Sequence, residues 1–159
     1  MSASPPSRQK WKRQMTEARI EKSLFLKASP ERVWDFLTRP ELLARWFHPS
    51  DTELVPGAAY ALLSNNGGGT KVCWGDVLEA EPPTRLVYSF THQWLEGHKT
   101  RVEWTLAPVA SGTLLKLVHD GFEGAKTDIF ESLCDHDAGW DEHFGNLREC
   151  IVEAETAPA

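Results

Sequence analysis

The chain contains 159 residues, 41% of them hydrophobic, and it carries a net charge of −6 at pH 7. This length suits one domain with a substantial buried core, and no apolar run approaches the roughly 18 residues of a membrane-spanning helix, so we expect a cytoplasmic protein without a membrane partner. Three widely spaced cysteines without a CxxC motif argue against a disulfide framework, and the acidic balance disfavours nucleic acid as a partner.

The N-terminal segment differs in charge from the rest of the chain. Residues 1–19 contain five basic side chains and one acidic one, which leaves the remaining 140 residues near −10. We expect a flexible basic leader at 1–18, one domain at 19–153 and a disordered tail at 154–159. The alternative for the leader is contact with an acidic partner.

The first predicted elements are a strand and two short helices. Alternating side chains predict a strand over 20–28, interrupted only by Lys22. Ser29 and Pro30 suit the N-cap and the first position of a helix. Pro40 ends that helix, because it cannot donate to the helical ladder, and it begins a second short helix over 41–47.

Turn signals rich in proline, glycine and asparagine recur after residue 49. They separate six further predicted strands, at 51–55, 58–64, 71–81, 84–92, 99–107 and 113–120. Short connections favour an antiparallel meander. Apolar and polar residues alternate in the last three strands, which indicates one buried face, whereas the strand at 71–81 is apolar in both phases and its facing stays open.

The C-terminal region predicts a long amphipathic helix. Its apolar residues recur at spacings of four, three and four, with Asp137 as a plausible N-cap. Residues 126–136 form either a separate short helix or an ordered loop. The helix and the sheet each have an apolar face to bury, so the helix is expected to lie against the concave side of a curved sheet, with room for a cavity between them. The apolar stripe is Trp140, Phe144, Leu147 and Ile151.

The order of elements and several sequence strings resemble a known family. The order is similar to the helix-grip fold of the START-like superfamily, also called SRPBCC, and the strings resemble more specifically the activators of heat-shock protein 90 ATPase homologues. The similarity covers about residues 19–153. The strings are SPERVW at 29–34, LLARWF at 42–47, GDVLE at 75–79, PPTRLVY at 82–88 and VEWTL at 102–106.

The resemblance implies an α+β fold and three classes of function. The expected fold has a curved antiparallel sheet of six to seven strands around a long C-terminal helix, with two short helices after the first strand. The implied functions are hydrophobic-ligand binding, cyclase-like or dehydratase-like chemistry, and regulation of a protein partner. One fold hosts many activities, so the choice among them must come from the site.

Aromatic rings on the inner face are the main candidates for ligand contact. Such rings stack on flat or apolar molecules, although ordinary core packing is the alternative for each one. The predicted ligand contacts are Trp74, Asp76, Tyr88, Phe90, Trp104, His119, Trp140 and Phe144.

His119 is the candidate acid or base. It ends an inner-face strand, where a cavity mouth is expected, and an unperturbed histidine titrates near 6.5. Asp76 is a possible second proton carrier. A structural histidine and a solvated carboxylate are the alternatives.

No metal or cofactor is expected. His136 and His143 share one helical face, but two helical turns separate them by roughly 10 Å, too far to share one ion. The glycines at 67–69 join two strands and are interpreted as a hairpin tip, because a phosphate-binding loop leads into a helix.

The leading hypothesis is a monomeric or homodimeric protein that binds a small hydrophobic or aromatic molecule between the sheet and the last helix. The first alternative is an enzyme for cyclisation, dehydration or hydrolysis that uses the same cavity, with His119 as acid or base. The second is a regulatory protein that contacts another protein through the leader or exposed aromatic residues.

Overall fold

Six antiparallel strands and three α-helices make up residues 17–156, the residues that the computed structural model describes. The strands lie in one sheet in the order β1-β6-β5-β4-β3-β2, and a short 3-10 turn, Gln93–Leu95, follows β4. The elements are β1 (Ile20–Leu26), α1 (Pro30–Thr38), α2 (Pro40–Trp46), β2 (Ala59–Leu63), β3 (Lys71–Glu81), β4 (Arg85–Phe90), β5 (Thr100–Val109), β6 (Gly112–Asp120) and α3 (Ile129–Thr156).

This architecture confirms the predicted α+β fold, with two short helices after the first strand and a long helix at the C-terminal end. The leader and the tail lie largely outside the described residues, and α3 continues through Thr156, three residues into the segment expected to be a tail. No helix in residues 17–156 is long and apolar enough to cross a bilayer.

The predicted burial of one sheet face is confirmed in β4, β5 and β6. The register places Tyr88 beside Val102, and Trp104 beside Leu117, so their side chains share one face. The apolar stripe of α3 is also buried and belongs to the same core. The buried inner-face residues are Leu86, Tyr88, Phe90, Val102, Trp104, Leu106, Leu115, Leu117 and His119.

The structure settles the facing of β3. Cys73, Gly75 and Val77 are buried on the inner face, whereas the alternate residues Trp74 and Asp76 are only partly buried. Asp76 forms an exposed ion pair with Lys99 at 3.4 Å. The second apolar set is divided: Leu78 is exposed, whereas a register shift between Val77 and Glu79 places Ala80 opposite Leu86, where it packs against the core.

One predicted strand and the predicted start of the last helix were wrong. Residues 51–55 form a loop rather than a strand, because the backbone N–H of Leu54 donates to the carbonyl of Thr38 at the end of α1. The last helix starts at Ile129, so Asp137 lies inside it and is not its N-cap. Asp128 has the capping role, since its carboxylate accepts a hydrogen bond from the backbone N–H of Glu131 at 2.8 Å.

Lys22 explains the break in the first strand pattern. It lies in the same phase as the buried Ile20 and Leu24, and its side chain is 15% exposed. Its ammonium contacts the carboxylates of Asp137 and Asp141 at 2.8 and 2.7 Å. This charged residue therefore joins the edge strand to the helix that crosses it.

β3 approaches β4 so closely that one position requires glycine. A Cβ atom built on Gly75 lies 2.0 Å from the carbonyl oxygen of Ser89. That oxygen also accepts a hydrogen bond from the Tyr60 hydroxyl at 2.7 Å, so the contact connects three strands. A side chain at residue 75 cannot be added without moving the backbone of β4.

Replacing Gly75 with Ala is expected to lower the free energy of unfolding by about 1–3 kcal/mol, because the added methyl group overpacks the sheet. Urea denaturation measures the change. Gly145→Ala is the matched control, since nothing lies within 4 Å of its Cβ and it is exposed on α3. That control is expected to be neutral or stabilising by up to about 1 kcal/mol; equal effects of the two substitutions contradict the steric argument.

Candidate functional site

A cavity of about 460 Å³ lies between the inner face of the sheet and α3. Residues of β3, β4, the turn after β4, the segment after α2 and the first half of α3 contribute to its wall. Its aromatic lining consists of Phe47, Phe90, Trp94 and Trp140, and its imidazole lining of His48, His92, His136 and His143. The wall thus combines apolar rings with groups that both donate and accept hydrogen bonds.

Two of these histidines form a direct pair across the cavity wall. His92 follows the end of β4, and His136 lies on α3; their Nε2 atoms are 2.9 Å apart. The Nδ1 atom of His136 is 2.6 Å from the carbonyl oxygen of Ser132, one helical turn earlier. A carbonyl only accepts, so Nδ1 of His136 carries the proton in this hydrogen bond.

That contact also determines which nitrogen of each ring carries a proton. In neutral His136 the Nε2 atom has a lone pair and accepts, so Nε2 of His92 donates. Nδ1 of neutral His92 is then an acceptor, and it is buried without a hydrogen-bond partner among the residues that the structure describes. Burial and the neighbouring His136 lower the pKa of His92 to about 4, so His92 is neutral at pH 7.

His48 and His143 form a second imidazole group in the wall, with ring centroids 5.8 Å apart. The side-chain amide of Asn65 donates to Nδ1 of His48 at 3.1 Å. Nδ1 of His143, like Nδ1 of His92, is buried without a hydrogen-bond partner in residues 17–156. Burial lowers the pKa of both His48 and His143.

His119 lies in the core behind the cavity wall and is fully buried. The indole N–H of Trp140 donates to its Nδ1 at 3.0 Å, and its Nε2 is 2.8 Å from the hydroxyl of Thr100. That hydroxyl donates to the carbonyl of Phe90, so it accepts from His119. Burial lowers the pKa of His119 well below the ordinary value.

This geometry assigns both nitrogens of His119 to protein partners. Neither nitrogen is free to exchange a proton with a molecule in the cavity, so the arrangement gives no support to an acid or base role. His119 instead orients Trp140, whose ring borders the cavity. Its surroundings are those of a structural, hydrogen-bonded histidine, the alternative to an acid or base.

The predicted site residues fall into three groups. Phe90 and Trp140 line the cavity. Trp74 and Asp76 lie in the opposite phase of β3 from the buried residues and do not line it. The remaining four, Tyr88, Trp104, His119 and Phe144, are buried in the core and do not line the cavity either.

The buried rings of the core explain why so little of the interior is open. The ring of Trp104 is 5.5 Å from that of Trp140 and stacks on Phe144 at 5.9 Å. The indole N–H of Trp104 donates to the Tyr88 hydroxyl at 3.0 Å. These contacts fill the centre of the sheet, so the cavity is displaced toward the end of β4.

Sequence reasoning missed the imidazole lining. His136, Trp140 and His143 stand at spacings of four and three, which places them on one helical face with the predicted stripe. This spacing indicates a shared helical face, which the sequence analysis interprets only as a possible metal site. Nothing in the local sequence shows that His48 and His92 meet this face from the other side.

Cys73 also lines the cavity, where burial raises the pKa of its thiol to about 12. A thiol that stays protonated at neutral pH is a poor nucleophile. Within residues 17–156 no group of three or more histidine, cysteine, aspartate or glutamate side chains is arranged to hold a metal ion. The described lining offers a bound molecule apolar rings for stacking and imidazoles for hydrogen bonding.

The fold and the comparison with family models identify the class of this protein. A six-stranded antiparallel sheet around a long C-terminal helix is the helix-grip architecture of START-like proteins. The family model described as "Activator of Hsp90 ATPase homolog 1-like protein" matches residues 27–151, and the chain belongs to this family. A search of curated proteins gave no significant match.

Solved structures with the same fold include proteins from several bacteria. CalU16 from Micromonospora echinospora is 28% identical, with a TM-score of 0.68 over 84% of this chain and 75% of that one. MLL2253 from Mesorhizobium loti is 25% identical, with a TM-score of 0.71 over 82% and 94%. The Aha1 dimer from Colwellia psychrerythraea is 22% identical, with a TM-score of 0.66 over 84% and 95%, a likeness of fold alone.

The neutral histidines predict a characteristic loss of stability in mild acid. His92 and His119 have lowered pKa values in the folded chain, whereas unfolded histidines titrate near 6.5. The unfolded state therefore binds more protons below that pH, and stability falls as pH falls toward the folded pKa values. Each such histidine contributes up to about 1.4 kcal/mol per pH unit in that window.

Urea denaturation at pH 7.5, 6.5 and 5.5 measures this slope. His119→Leu removes one group that protonates on unfolding, so its stability is expected to depend less steeply on pH than that of the unsubstituted protein. The readout is the slope and not the absolute stability, which also changes with packing. An unchanged slope contradicts the assignment of His119 as a neutral side chain.

Proposed function

We propose that this protein binds a small, flat and largely apolar molecule in the cavity between the sheet and α3. The observation that carries this proposal is the lining itself. Aromatic rings form much of the wall, yet two buried imidazole nitrogens, Nδ1 of His92 and Nδ1 of His143, have no hydrogen-bond partner among residues 17–156. A wall built only to pack the core would not leave buried polar atoms unsatisfied, since each costs about 1–3 kcal/mol.

The size of the cavity supports the same conclusion. Its volume of about 460 Å³ falls within the roughly 300–1,000 Å³ typical of small-molecule sites. Phe90 and Trp140 lie on opposite sides of the space, on the sheet and on the helix. A planar ligand placed between such rings gains apolar burial together with favourable ring geometry, each aromatic pair adding about 0.5–1.5 kcal/mol.

The entrance is expected where the turn after β4 faces the first half of α3. Trp94 lines the cavity and is 71% exposed, so its ring borders both the interior and the solvent. Asp135, which also lines the cavity, is exposed on α3. An exposed aromatic residue and an exposed polar one that line the same cavity form a suitable boundary for the entry of an amphipathic molecule.

Gly139 provides a direct test, because it lines the cavity and nothing lies within 4 Å of a Cβ built on it. Gly139→Leu is expected to place a side chain in the cavity and to weaken the binding of N-phenyl-1-naphthylamine, a neutral fluorescent probe, by about tenfold or more. Fluorescence titration measures the affinity. Native mass spectrometry of the purified protein tests in parallel for a molecule retained from the cell.

Gly145→Leu is the matched control. Gly145 lies on the same helix, is exposed, has no atom within 4 Å of its Cβ and does not line the cavity. Both variants replace a helical glycine with leucine, and this replacement stabilises a helix by up to about 1 kcal/mol. Any general effect on folding is therefore common to the two variants. Equal affinity of the two variants, or no probe binding by the unsubstituted protein, overturns the proposal.

A further inference from the structure

The His92–His136 pair favours one chemical class of ligand. When His92 takes up a proton, both ring nitrogens become donors. The Nε2–H group keeps its acceptor, the Nε2 atom of His136 at 2.9 Å. The Nδ1–H group has no acceptor within the described part of the chain, where that atom is buried without a partner. In the protonated pair, the Nε2–H group of His92 is therefore hydrogen-bonded, whereas its Nδ1–H group still needs an acceptor.

The groups around the pair leave the Nδ1–H group of protonated His92 to a ligand oxygen. His119 of β6 packs against His136 with ring centroids 5.2 Å apart, but its nitrogens are occupied by Trp140 and Thr100. Asp135 is the only acidic residue in the described lining, and it is exposed on α3 beside His136. That lining contains no lysine or arginine, so a negative charge in the cavity has only imidazoles to neutralise it.

We propose that the ligand is an aromatic anion whose acidic oxygen accepts a hydrogen bond from Nδ1 of protonated His92, with His136 accepting from the opposite nitrogen. This inference rests on the proposed function, because it assigns the ligand class of the same cavity. The His92 ring borders the cavity. Its Nδ1 atom is covered, so the proposal requires a neighbouring side chain to move when the anion binds, and the exposed Trp94 ring, with its centroid 5.9 Å from that of His92, is the side chain assigned to that movement.

Binding of such an anion is coupled to the uptake of one proton from solvent. In the empty protein, burial and His136 hold the pKa of His92 at about 4. An anion at Nδ1 favours the charged form and raises that pKa in the complex. Between the two pKa values the complex holds one more proton than the empty protein, so affinity increases as pH falls. A neutral ligand in the same cavity gains no such advantage.

Two probes with the same ring system separate these effects. N-phenyl-1-naphthylamine is neutral, and 1-anilinonaphthalene-8-sulfonate adds a sulfonate that stays ionised over the pH range used. Fluorescence titrations at pH 7.5, 6.5 and 5.5 are expected to show that the affinity for the sulfonate increases, by up to about tenfold per pH unit, while the affinity for the neutral probe changes little. Near-UV circular dichroism at each pH confirms that the packed core is intact.

His92→Phe keeps a ring at this position and removes both nitrogens. It is expected to lose the pH dependence for the sulfonate, and the neutral probe, titrated in parallel, reports any change that the new ring makes to the cavity itself. His143→Phe removes the other unpartnered nitrogen of the cavity and is the matched comparison, since it is expected to retain that pH dependence. If His92→Phe fails to fold, His136→Leu provides the second test, because it removes the acceptor at Nε2 and is expected to reduce the dependence as well.

The outcomes distinguish this inference from the function on which it rests. If both probes bind to the unsubstituted protein with the same pH dependence, or if His92→Phe retains the dependence for the sulfonate, the assignment of an anionic ligand to His92 is overturned while cavity binding stands. If the dependence disappears in His143→Phe alone, the anion site lies at the other end of the cavity and the assignment is likewise wrong. If neither probe binds, both proposals fail.

Discussion

The hydrogen-bonded series from Thr100 through His119 to Trp140 fixes the long helix to the inner face of the sheet. Its members come from β5, β6 and α3, so it connects the centre of the sheet with the middle of the helix. All three are buried, and every ring nitrogen in the series has a partner. A buried polar network that is fully satisfied fixes one arrangement of the elements, because any displacement leaves an unpaired donor or acceptor.

The position of the cavity follows from this attachment. On the C-terminal side of Trp140, the helix packs its apolar stripe on the sheet and the space is filled by Phe144 and Trp104. On the N-terminal side, the helix presents Ser132, His136 and Gly139 to the end of β4, and these residues leave room that the core side chains do not reach. The same helix therefore closes the core at one end and borders an open site at the other.

Family membership and site geometry answer different questions here. The family model establishes the fold and the evolutionary class, and the family is described by activation of the Hsp90 ATPase. The wall of the cavity is composed of particular residues of this chain, and unpaired imidazole nitrogens are a chemical feature that a fold does not require. A proposal about the ligand therefore depends on the side chains and not on the name of the family.

Local patterns in the sequence predict the elements and most of the core, because burial of one face produces periodicity within a short segment, as in Val102, Trp104 and Leu106. They did not decide which face of β3 is buried, since both phases are apolar there, and they placed the start of α3 too late because Asp137 resembles a cap. Only the tertiary structure brought His92 to His136, which are 44 residues apart, and occupied both nitrogens of His119. Such contacts depend on how elements that are distant in the sequence pack against each other, and local periodicity does not predict that packing.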